Sequence, residues 1–205
     1  MLQNYNMSFT TGGLFYIDSL KALELYRSLM DWETVRDRLV SENLLQARTQ
    51  SSAVRISREI CQRLATLTEK QLMLLESGSP QEQRYLLWVA VCKRYPFIRK
   101  FMGDAVRERF LKLDMQISPT DFDIFFAEKA ESNAQLERLS PSTRAKLRQV
   151  LFKIMREAEI IAKDRRLLPA LPRRAVIEAL VEDDPTLLSV FPLSDMDIEE
   201  CLRRP

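Results

Sequence analysis

The sequence predicts an all-α fold, a compact helical bundle, on three observations. Ser79-Pro80, Ser118-Pro119 and Ser140-Pro141 each place a capping hydroxyl ahead of a proline suited to the first helical position. Apolar residues recur at helical spacing, as in Leu147, Val150, Leu151, Ile154, Ala158 and Ile161. The run from Tyr85 to Cys92 is apolar all round, which marks a helix at the centre of a bundle.

Caps and periodicity place helices near 14–29, 32–46, 52–66, 69–77, 80–95, 97–114, 120–131, 141–161, 173–183 and 195–203. Asp31 caps the second, Ser51 or Ser52 the third, Thr68 the fourth and Ser194 the last. Gly78 ends the fourth helix. Glu82 and Asp121 stand three residues after Ser79 and Ser118, the capping-box layout. Pro96 breaks or kinks the chain after Tyr95. The segment 162–172 does not read as helix and suits a short strand pair near 163–171. Trp88, Phe122, Phe125 and Phe126 are expected to pack inside, with Cys61 and Cys92 as small core hydrophobes. The 205 residues suit one helical domain, or two packed subdomains of about 1–78 and 79–205.

Composition excludes much chemistry. His is absent and Gly occurs only four times, with no GxGxxG or GxxxxGK spacing. Imidazole bases, imidazole zinc sites and phosphate loops are therefore ruled out. The three cysteines are widely spaced with no CxxC, and a reducing cytoplasm suits them. No signal peptide is visible, and no apolar run approaches the ~20 residues that cross a bilayer. A cytoplasmic protein without membrane insertion is expected. Asp121, Asp123 and the acids at 182–184 and 195–200 fall at helix ends, where caps and dipoles account for them. No Asp-x-Lys or Glu-x-Lys occurs, so no enzyme, metal or cofactor is expected.

Charge alternates along the chain: −1 over 1–40, +5 over 41–118, −3 over 119–139, +7 over 140–175 and −6 over 176–205. Basic blocks suit an anionic partner, although the acidic tail is placed to pair with the +7 block beside it. Arg48, Ser51, Arg55, Arg58 and Gln62 are predicted to share one face of the third helix, opposite Ala53, Ile56, Ile60 and Leu64. Glu59 is the only acid in that span. Arg144 and Arg148 stand four apart on the helix opened by Ser140, and Arg144 lies in its first turn. Such residues suit phosphate oxygens of duplex nucleic acid, and the lack of interleaved aromatics argues against single-strand stacking. A plain solvated face has the same appearance. The two groups are expected to form one positive surface.

Three segments carry a family resemblance. They are Asn43-Leu44-Leu45-Gln46-Ala47-Arg48-Thr49-Gln50-Ser51-Ser52-Ala53-Val54-Arg55, then Gly78 to Cys92, then Leu139 to Leu151. In order and spacing they resemble the BrxA family of the BREX bacteriophage-exclusion systems, over about residues 10–170. The resemblance implies an all-α fold similar to NusB and membership of a phage-resistance gene cluster. That cluster also encodes an adenine-specific DNA methyltransferase, an alkaline-phosphatase-like protein, an AAA+ ATPase and a Lon-like component. It implies no catalytic motif. The expected function is a non-enzymatic accessory protein of antiviral defence, gripping duplex DNA by its backbone. The alternatives are an adaptor that assembles the other BREX proteins and a NusB-like RNA binder.

Overall fold

A computed structural model describes residues 5–10 and 12–203. The described residues form an all-α bundle without a strand. The first helices are α1 (Tyr16–Leu29), α2 (Trp32–Ser41), α3 (Gln50–Leu64), α4 (Glu69–Ser77) and α5 (Pro80–Arg94). Next come α6 (Pro96–Phe101), a π-helical turn (Met102–Arg107) and α7 (Glu108–Leu111). After them run α8 (Pro119–Glu131), α9 (Ala134–Glu137), α10 (Pro141–Glu157) and α11 (Arg174–Asp183). A 3₁₀ turn (Pro185–Val190) and α12 (Asp195–Arg203) complete the chain described.

The caps act locally, as their spacing implies. Thr68, Ser79 and Ser118 form full capping boxes with Gln71, Glu82 and Asp121. Asp31 caps α2, Ser140 caps α10, and Ser194 exchanges hydrogen bonds with Asp197 at the start of α12. The cap of α3 is Thr49 rather than Ser51 or Ser52; its hydroxyl accepts from the Ser52 N–H at 3.2 Å. Gly78 follows α4 in extended backbone, and a glycine suits the position because a Cβ there would stand 2.5 Å from the Leu74 carbonyl oxygen.

Several boundaries differ from expectation. Helix α2 stops at Ser41, and the chain turns through Asn43 and Gln46 at positive φ. The span 97–114 is interrupted by the π turn, from which Met102 and Val106 both point inward. Helix α10 ends at Glu157, followed by Glu159 at φ 58°. The strand pair near 163–171 reduces to two isolated bridges, Ile161 with Leu167 and Gln116 with Arg166. Pro169 and Pro172 have no N–H to extend them.

One apolar core runs across the break at Gly78 and includes residues from every region of the described chain. Helix α5 lies at its centre, packed on α1, α3, α4, α6, α10 and the 3₁₀ turn. Every residue from Tyr85 to Cys92 is buried, and the Trp88 indole N–H donates to the Val190 carbonyl at 2.9 Å. Phe97 and Phe101 meet Phe122 and Phe125 edge-on, at centroid distances of 5.3 to 5.9 Å. No helix among the described residues is long and apolar enough to cross a membrane.

Candidate nucleic-acid interface

Helix α3 packs on α1, α2 and α5 and turns its other side to solvent. Arg55, Arg58 and Gln62 stand on that side, spaced three and four residues apart. Ser51 is exposed in the first turn, its hydroxyl 3.2 Å from that of Thr49. Arg48 precedes the cap, so it lies ahead of the helix rather than on its face. Among the described residues, Arg48, Arg55 and Arg58 are exposed and make no ion pair.

Glu59 explains why the charge of this face is not cancelled. The carboxylate points inward, where Arg63 donates to it at 2.7 Å and the Tyr95 hydroxyl donates as well. Arg63 is buried too, and it also donates to the Gly13 carbonyl at 2.8 Å. Burial and the neighbouring carboxylate push the Tyr95 phenol up to about 12. The face gains a cation from α5: the Arg94 guanidinium donates to Gln62 at 2.9 Å. The sequence does not single out Arg94, because its place beside Gln62 depends on how α5 packs on α3.

The second predicted group is arranged differently. Arg144 donates to Asp123 through Nε at 3.2 Å and reaches the Asp123 carbonyl at 2.6 Å. It also lies 4.7 Å from the Phe126 ring centre. Arg148 pairs with the same carboxylate. Both arginines are therefore partly neutralised and half-buried. They line an open cavity of about 730 Å³ between α8, α9 and α10, together with Phe126, Leu136, Glu131 and Glu137. Helices α3 and α10 are linked through residues 13–14. Arg63 holds the Gly13 carbonyl, and Glu157 accepts from the Leu14 N–H at 2.6 Å.

The acidic tail does not cancel the +7 block. Glu182 pairs with Lys70 and Asp183 with Lys93, both at 2.7 Å, Asp184 with Arg99, and Asp195 with Arg107 at 2.8 Å. All four cations belong to the span 41–118. Within α11, Arg174 of the +7 block pairs with Glu178 of the tail at 2.7 Å. Asp121 is occupied by its capping box and by Arg109. No group of three or more Cys, Asp or Glu among the described residues is placed to hold a metal ion.

Fold and site together define an all-α protein with an uncancelled arginine face on one helix. The model of the BrxA family matches residues 3–184, and the chain belongs to that family. It is 27% identical to BREX protein BrxA of Escherichia coli O9:H4 (strain HS), over 88% of this chain and 86% of that protein. It is 24% identical to BREX protein BrxA of Bacillus cereus (strain H3081.97), over 76% and 78%. An uncharacterized protein from Magnetospirillum magneticum, solved by crystallography, shares the fold with a TM-score of 0.80. That likeness covers 93% of this chain and all of the other at 19% identity.

Proposed function

We propose that this protein is a DNA-binding accessory component of a BREX defence system, gripping duplex backbone through the α3 face. Membership of the BrxA family supports the BREX setting. The observation that carries the DNA reading is the pairing state of α3. Arg55 and Arg58 are exposed and unpaired, while Glu59, the one acid among them, is buried on Arg63. Phosphate oxygens suit such donors, and the first turn of α3 adds its own N–H groups. The proposed role needs no catalysis, a reading supported by the lack of His and by the pairing of Asp121 and Asp123 with arginines.

A titration of labelled duplex DNA across salt tests this. Affinity falls with a log–log slope of roughly −0.9 per phosphate neutralised. Arg55→Glu with Arg58→Glu lowers affinity for every sequence alike and flattens the slope. Absence of salt-sensitive duplex binding at low ionic strength sinks the reading, and preferential binding of RNA in the same titration moves it to RNA.

The adaptor reading rests on the α8–α10 cavity, whose mixture of Phe126 and Leu136 with Glu131 and Arg144 suits a protein segment. Under it, charge reversal on α3 leaves DNA affinity unchanged, whereas Glu131→Lys with Glu137→Lys in the cavity abolishes co-purification with another BREX protein.

A further inference from the structure

We propose a separate phosphate-binding pocket beside the second half of α10, formed by Arg148 and Arg156 with Lys163 and Arg165 of the turn that follows. Its volume is about 290 Å³, and Pro119, Gln149 and Phe152 complete the lining. No residue of α3 takes part. The proposal does not rest on the α3 reading.

Charge is the first argument. Four cationic side chains line the pocket and no carboxylate does. Arg156, Lys163 and Arg165 make no ion pair among the described residues. The nearest acid in sequence, Asp164, does not line the pocket; its carboxylate accepts from the Arg166 N–H at 3.1 Å. Arg148 already pairs with Asp123, so Arg156, Lys163 and Arg165 are the three lining cations without a counter-charge; they repel one another, and a bound anion relieves that repulsion. Guanidinium forks and an ammonium together suit phosphate oxygens, and Gln149 supplies a neutral donor.

Backbone is the second argument. The chain reverses tightly here: Arg165 N–H donates to the Ala162 carbonyl at 3.0 Å, and Ala162 N–H donates to Arg166 at 2.9 Å. Neighbouring segments fasten the turn, with Ile117 N–H donating to the Arg165 carbonyl at 3.2 Å and Leu167 N–H to Met115 at 2.7 Å. Arg165 itself is held at φ 69°, a conformation that disfavours a side chain. Strain of this kind persists where the surroundings over-determine it and is concentrated at ligand sites. A fixed, strained turn delivers Lys163 and Arg165 to the free cation of α10.

The shared ligand chemistry is a phosphate ester, from either a DNA backbone or a free nucleotide. Titration calorimetry with pyrophosphate on the full chain at low ionic strength tests the site. Saturable binding is expected, weakened at least tenfold by Lys163→Glu with Arg165→Glu and unchanged by Arg55→Glu with Arg58→Glu. Arg165→Gly relieves the backbone strain, so it keeps the melting temperature and still weakens pyrophosphate binding. Prior saturation with duplex DNA blocks pyrophosphate if backbone phosphate is the occupant. Competition by a nucleoside monophosphate, with no block by DNA, identifies a free nucleotide. No saturable binding in the wild type, equal binding in the pocket variants, or equal loss in the α3 variants overturns the proposal. The duplex titration of the α3 variants judges the DNA reading independently.

Discussion

Arg144 is fastened to Asp123 twice, by Nε to the carboxylate at 3.2 Å and by Nη2 to the main-chain carbonyl at 2.6 Å. An arginine held this way serves packing before it serves a ligand. Arg144 also covers Phe126, and Arg148 occupies the other carboxylate oxygen.

Charge reversal at Arg144 and Arg148 therefore has two expected effects. It lowers the stability of the α8–α10 contact by about 1–2 kcal/mol, since Asp123 loses charge-assisted hydrogen bonds. It also lowers duplex affinity less than reversal at Arg55 and Arg58 does. Asp123→Asn frees one positive charge and raises affinity several-fold. Chemical denaturation and the salt titration together check these three variants.

Glu59 and Arg63 form a buried pair at 2.7 Å that joins α3 to Tyr95 and Gly13. Removing either partner leaves the other charge buried alone. Arg63→Met or Glu59→Gln is expected to cost about 3–5 kcal/mol, read from the urea midpoint. A loss below 1 kcal/mol would show that the pair is open to water.

Glu82 is a pH sensor of stability. Arg173, and then the Ser79 hydroxyl and N–H, hold its carboxyl down at about 2, against an ordinary 4.5. A lowered native pKa means that stability is fully present above about pH 4.5 and drains away as pH falls towards 2. Arg173 stands largely in solvent, at 70% side-chain exposure, so screening reduces the effect to about 1–2 kcal/mol. Glu82→Gln should remove that part of the acid dependence between pH 4.5 and 2 and leave the rest. An unchanged acid profile in melting temperature would contradict it.

Trp88→Phe deletes the indole donor to Val190 and leaves a small void under the 3₁₀ turn. The expected cost is about 2 kcal/mol, or about 4–8 °C in Tm. Calorimetry measures it.

The sequence by itself determined the all-α class, the central helix and most helix starts. Caps act over three residues: Ser79 with Glu82, or Ser118 with Asp121, is complete within one turn. Burial of Trp88 was equally legible, since a helix apolar on every side has nowhere else to lie. The cap of α3 was not, because Thr49, Ser51 and Ser52 offer the same hydroxyl within four residues. Short α9 and the 3₁₀ turn went unread, since each is fixed by one Asx side chain, Asn133 or Asp184, in a span without periodicity.

Tertiary structure alone decided which charges remain free. Arg144 and Arg148 meet Asp123 across 21 and 25 residues, and Lys93 meets Asp183 across 90. Glu59 stands next to Arg58 in sequence, yet packing against Arg63 and Tyr95 removes it from the surface. Arg156 gains Lys163 and Arg165 as neighbours only through the reversal at 162–166. Helical periodicity assigns a residue to a side of its own helix. Whether a charge there is cancelled depends on Coulomb and hydrogen-bond partners a few ångströms away in space, and the packing of distant segments chooses them.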